Sequence, residues 1–201
     1  MTETSVPATD SMKTGLHHKG VSSRHIVAIV VSALIFGAII YVTRFLPFKM
    51  GTIQMFYPAA IVAPLFGVWF GVWGSAGLIV GNILSMLAVG LNPALFPLAL
   101  LAQFMMGFLP GAAYRKTKFE GAGSVAFFVA LVITGQVVSS TLVALNLLWI
   151  QHVPAKAVWG TIWPWMQFSN TLMAAVFSPL LFAWLSDYIS KSGLFFKRFL
   201  G

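Results

Sequence analysis

Apolar residues in this chain run in long blocks separated by short clusters of glycine, proline and basic residues. A helix needs ~20 mostly apolar residues to carry the chain across ~30 Å of hydrocarbon, and stretches of that kind recur along most of the sequence. The blocks predict spans at 26–45, 53–70, 72–89, 94–114, 124–150 and 162–188. Between the second and third, Phe70-Gly71-Val72-Trp73-Gly74-Ser75 carries no charge and leaves room for only a minimal connection, so a tight glycine turn at a membrane surface is expected there. The fold class that follows is an all-α membrane protein, a bundle of six transmembrane helices over 25–190. A polar, disordered tail at 1–24 and a basic tail at 191–201 are expected to flank it.

Composition supports the same class: 59% of the 201 residues are hydrophobic and 8% charged, against roughly 25% charged in ordinary soluble domains. The formal net charge of +8 is not a nucleic-acid footprint, because its distribution follows the membrane. With six spans and a cytoplasmic N-terminus, nine of the twelve basic residues (Lys13, Lys19, Arg24, Arg115, Lys116, Lys118, Lys191, Lys197 and Arg198) fall in cytoplasmic segments. Only Arg44, Lys49 and Lys156 fall outside; an odd number of spans would spoil the bias. Both termini are therefore expected in the cytoplasm, and the location is the cell membrane. The N-terminal stretch lacks the apolar core of a signal peptide, and His17 and His18 within it read as solvated. The absence of cysteine excludes disulfides, thiolate metal sites and cysteine nucleophiles. Glu3, Asp10, Glu120 and Asp187 sit in cytoplasmic segments or at their edges, so no carboxylate lies deep within a span as a proton relay.

Uncharged polar residues do lie inside the spans: Asn82, Gln103, Gln136, Asn146, Gln167, Asn170 and the run Ser139-Ser140-Thr141. Each is costly against lipid and is expected to face the bundle, where interhelical hydrogen bonding is the commonest use. Four of the seven tryptophans, Trp149, Trp159, Trp163 and Trp165, crowd one outer connection together with Gln151 and His152. Interfacial tryptophans usually anchor helices, but this concentration beside amides also suits a flat, partly polar ligand. Arg44 and Lys49 add cations on the same side, which favours a neutral or anionic ligand. The candidate substrate-binding set is Arg44, Lys49, Asn146, Trp159, Trp163, Trp165, Gln167 and Asn170. A second candidate surface is the stripe of small residues on the first span, Ala28 with Ser32 and Ala33 with Gly37, which permits close approach of another helix, within the bundle or from a partner.

From Ala28 to Lys116 the order of features resembles the S components, the substrate-binding membrane subunits of energy-coupling-factor (ECF) vitamin transporters. The resemblance is carried by Ala28 and Ser32 in the first span, by Pro58 after an outer loop, by Leu65-Phe66-Gly67-Val68-Trp69-Phe70-Gly71, and by Asn82. Gly107-Phe108-Leu109-Pro110-Gly111-Ala112-Ala113-Tyr114-Arg115-Lys116 then runs into a basic inner loop. It implies a six-helix bundle that captures a vitamin or related small heterocycle at its outer face, partnered by a coupling membrane subunit and ATPase subunits, with the small residues of the first span turned to that partner. Many relatives carry an acid shortly before the proline equated with Pro58, and 54–57 has none; the region after Lys118 matches no subgroup.

No phosphate-binding Walker loop is present, so any ATP hydrolysis belongs to partner chains. An enzyme using His25 or His152 as acid or base lacks a neighbouring carboxylate. The leading expectation is a non-enzymatic binding subunit without cofactor or metal, and the alternative is a scaffolding membrane protein whose polar residues only join helices.

Overall fold

The computed structural model describes residues 22–47, 49–50, 53–54 and 56–200, without the side chains of Lys49, Met50 and Ile53. Apart from 22–24, the expected N-terminal tail lies outside the described residues. Helix α1 (Ser23–Thr43) leads to a two-residue antiparallel ladder, β1 (Lys49–Met50) with β2 (Ile53–Gln54). Then follow α2 (Ala59–Ala88), a single 3₁₀ turn at Pro93–Leu95, α3 (Pro97–Ala113) and α4 (Ala122–Trp149). The last unit is a short turn α5 (Ala155–Ala157), a π-helical turn over Val158–Ile162, and α6 (Trp163–Lys191). Four helical stretches, Ser23–Thr43, Ala59–Ala88, Ala122–Trp149 and Ala155–Lys191, are long and apolar enough to cross a membrane, and Pro97–Ala113 is a shorter apolar helix. The chain is a helical membrane protein: in hydrocarbon every backbone N–H and C=O needs an internal partner, and a helix supplies them.

The second of these stretches is not one straight rod. Gly71 has φ 63° and ψ −144°, a conformation open to glycine and strained for any residue with a Cβ. The chain folds back there into two arms, 59–70 and 72–88. Tyr57 and Met86, which an unbroken helix would hold roughly 44 Å apart, line the same cavity. Gly107 of α3 borders both arms, with Ala63 on the first and Ser75 and Leu78 on the second. The glycine turn expected from the sequence is thus present as a reversal with no intervening loop.

Without a hydrophobic drive between helices in lipid, packing depends on small residues that let backbones close up. A Cβ on Gly67 would run into the carbonyl group of Gly107, and one on Gly111 into Gly67. On α1, Ala28, Ser32, Ala33 and Gly37 are buried against the second arm of α2: an added Cβ on Gly37 would stand 2.8 Å from the Gly81 carbonyl oxygen. Larger residues on the outer side of α1, such as Val30, Leu34 and Val42, are exposed and face lipid.

Buried polar side chains repair the helix ladder where proline breaks it. Pro64 has no N–H to give the Ala60 carbonyl, and Gln136 Nε2 of α4 donates to it at 3.4 Å. Asn146 of α4 ties the start of α3, donating to Leu95 O and accepting from Leu98 N, both at 3.1 Å.

At the Gly71 end, the beginning of α1, the α3–α4 loop and the segment 194–200 meet. His25 stacks between Trp73 (4.6 Å) and Phe196 (5.2 Å). Phe196 N donates to Trp69 O and Val72 N to Phe199 O, both at 2.9 Å. The Arg115 guanidinium donates to the carbonyls of Val68 (3.1 Å), Gly111 (3.2 Å) and Phe196. The segment expected to be a basic tail is therefore a strap: Lys197 and Arg198 are exposed, and Phe196 is buried at 8% exposure because its ring and backbone close the end of the bundle. In the α3–α4 loop, a hydrogen bond to Glu120 holds the Lys116 ammonium above its ordinary pKa range, and the same bond holds the Glu120 carboxyl below its own. Both groups are fully exposed, so the pair adds little stability.

Candidate ligand cavity

At the end opposite Gly71 the bundle opens into a cavity of about 110 Å³, several times what a single water needs. Its origin is a mismatch of lengths: the first arm of α2 rises only ~18 Å while the 28-residue α4 rises ~42 Å, so a hollow remains above Tyr57. Each wall contributes residues at helical spacing: Asn82 and Met86 from α2, Ala99, Gln103 and Met106 from α3, Ser139, Ser140, Val143, Asn146 and Leu147 from α4, and Met166 and Asn170 from α6. Arg44, from the residue that ends α1, and Gln54, from the β ladder, complete the rim together with Gln151.

The polar groups are unevenly committed. Tyr57 donates its hydroxyl to Gln103 Oε1 at 3.1 Å, leaving the Gln103 amide N–H groups to the cavity. Asn82, only 4% exposed, makes no hydrogen bond among the described residues. Gln54 Oε1 and Gln151 Nε2 are likewise buried without a partner. Arg44 donates Nε to Ser85 Oγ at 3.1 Å across the α1–α2 seam. These are groups able to grip an uncharged or negatively charged molecule, and among the described lining residues none is a base or a nucleophile with a carboxylate beside it. His152 is exposed on the α4–α5 connection, and His25 is at the other end of the molecule.

Of the eight residues expected from the sequence, Arg44, Asn146 and Asn170 line the cavity. Asn146 does so with both ends of its amide engaged by the start of α3, so it is a brace and not a free ligand contact. Lys49 pairs through its backbone with Gln54 at the mouth, and its side chain lies outside the described residues. The tryptophans are elsewhere. Trp159 and Trp165 are 42% and 60% exposed and do not line the cavity. Trp163 packs against a small separate cluster of Ala144, Leu147, Val158 and Ile162, and its Nε1 has no partner among the described residues. Gln167 is turned along its own helix to Thr171 Oγ1 at 2.6 Å. The stripe Ala28, Ser32, Ala33 and Gly37 is filled by α2, so these residues are not free to receive a partner subunit; the close approach they permit is used inside the chain.

Gln54 and Tyr57 were missed because neither lies deep in an apolar block, so neither carries the cost that marks an intramembrane polar residue. Asn82, Gln103, Ser139 and Ser140 carried that mark and converge here. No protein-family model, curated protein or solved structure matches the chain.

Proposed function

We propose that this protein is the substrate-capturing subunit of a membrane importer, taking a small molecule into the cavity from the outer side of the cell membrane. The observation that carries this reading is the convergence of Asn82, Gln54, Gln103 and Gln151 on one hollow with amide atoms that the bundle does not use. An unsatisfied buried amide costs about 1–3 kcal/mol, and a ligand that supplies the partner offsets that cost. The resemblance to S components of ECF transporters supports the same role, with a coupling membrane subunit and ATPase subunits as partners and a vitamin-like heterocycle as cargo. The reversal at Gly71 turns the α2 stretch into two crossings and supports six in all. Arg115, Lys116, Lys197 and Arg198 gather at the Gly71 end, which supports a cytoplasmic position for that end and for both termini. Docking of a coupling subunit then falls to a surface other than the small-residue stripe of α1.

The test is to purify the protein from its membrane, extract it under denaturing conditions and search for a bound small molecule by mass spectrometry. The isolated compound is expected to raise the melting temperature of the protein, and Asn82→Leu to weaken its binding at least about tenfold, the cost of ~1.4 kcal/mol. A scaffolding role, favoured by the bracing bonds of Gln136 and Asn146, would yield no bound compound and no loss in Asn82→Leu.

A further inference from the structure

Among the described cavity-lining residues Arg44 is the sole full charge, and the described chain gives it no counter-ion. Glu120 and Asp187 are at the Gly71 end, each paired with a lysine four residues away along the chain; Glu3 and Asp10 precede the described residues. The guanidinium is half-buried, and its one hydrogen bond among the described residues, Nε to Ser85 Oγ, fixes its plane while leaving the terminal nitrogens uncommitted. A guanidinium in partly dry surroundings without an anion is unfavourable, and its planar fork fits a carboxylate or phosphate in a bidentate manner. Behind it, the Gln103 amide N–H groups, unused in its bond to Tyr57, are further donors, and the buried Gln151 Nε2 has no partner among the described residues. Resting on the binding role proposed above, we infer that the molecule bound here carries an anionic oxygen group, a carboxylate or phosphate, seated on Arg44, with an acceptor-bearing body reaching toward Asn82 and Gln103. Ser85 acts through Arg44 as a positioning residue. A lipid headgroup phosphate at the mouth offers the same chemistry as a free anion.

The experiment uses acid and amide pairs of nearly equal shape, benzoate with benzamide and nicotinate with nicotinamide, together with inorganic phosphate. They are added to the full chain in nanodiscs made either of phosphatidylcholine alone or with phosphatidylglycerol, and melting temperature and affinity are read. The acids are expected to bind about tenfold or more tighter than their amides in phosphatidylcholine, as a charge-assisted pair exceeds a neutral one. Arg44→Gln should abolish that preference and Arg44→Lys should restore part of it. Stabilisation that appears only with phosphatidylglycerol, and only with Arg44 intact, assigns the anion to a lipid headgroup. Equal binding of acids and amides, a preference that survives Arg44→Gln, or no response to any of these anions overturns the inference. Should Arg44→Gln fail to fold, Ser85→Ala keeps the charge and is expected to reduce the acid preference several-fold; an unchanged preference counts against the assignment. A co-purified molecule that is neutral or cationic leaves the binding role standing and overturns only the anionic class.

Discussion

Gly67→Ala adds one methyl group at the glycine whose added Cβ would meet the nearest atom of any described glycine. The new Cβ would meet the carbonyl carbon and oxygen of Gly107, backbone atoms that no rotamer change can move aside. Relief requires α2 and α3 to separate, and Tyr57, just ahead of α2, is hydrogen-bonded to Gln103 of α3 at the cavity. Overpacking of this kind typically costs 1–3 kcal/mol, and a backbone obstacle puts it at the upper end, about 3 kcal/mol. At roughly 2–4 °C per kcal/mol for a chain of this size, the melting temperature in detergent should fall by about 6–12 °C. Gly123→Ala is the control: it is also a glycine in a helix, with ordinary dihedrals and nothing within 4 Å of an added Cβ, so alanine there should be neutral or slightly stabilising. Thermal unfolding followed by tryptophan fluorescence compares the two. If Gly67→Ala melts within a degree or two of Gly123→Ala, close backbone approach does not hold α2 to α3 and the reasoning fails.

Gln136→Leu should cost about 1 kcal/mol by stranding the Ala60 carbonyl, and much less in a Pro64→Ala background, where residue 64 supplies the missing N–H; additive losses in the double-mutant cycle would refute the repair role. Under the proposed topology, reporters fused after Lys118 or Gly193 should read cytoplasmic and one at Lys156 external, and a reporter after Lys118 on the side opposite the N-terminus would reduce the crossings before it from four to three.

The apolar blocks placed α1, α3, α4 and α6 within a few residues of their observed bounds, because in lipid the length of an apolar run and the need to close every backbone hydrogen bond leave few alternatives. The reversal at Gly71 was legible for a related reason: a glycine-rich, charge-free connection admits a turn and little else. The tryptophan cluster misled because a shared helix face fixes direction around the axis and not depth along it. Trp163 and Asn170 point the same way, but seven residues separate them by ~10 Å, and the cavity is reached at Met166 and Asn170, below Trp163. The strap at 194–200 was hidden because Phe195, Phe196 and Phe199 are too few to form an apolar block, and their partner Arg115 read only as part of a basic loop.

Under the proposed six-crossing topology, the loop-free reversal also decides parity. Apparatus that inserts helices by apolar length meets at 59–88 a stretch that passes as one crossing, and a chain threaded that way would carry every later segment to the opposite side. Arg115, Lys116 and Lys118 would then have to be translocated, which membranes resist. In that topology the first arm, ~18 Å long, falls short of ~30 Å of hydrocarbon by itself, so its crossing relies on the residues ahead of Ala59 and on its pairing with the second arm as a hairpin. Under the proposed topology the sidedness of everything after residue 71 thus depends on a single glycine bending, and the three cations forty-odd residues later weigh against the threading that would translocate them.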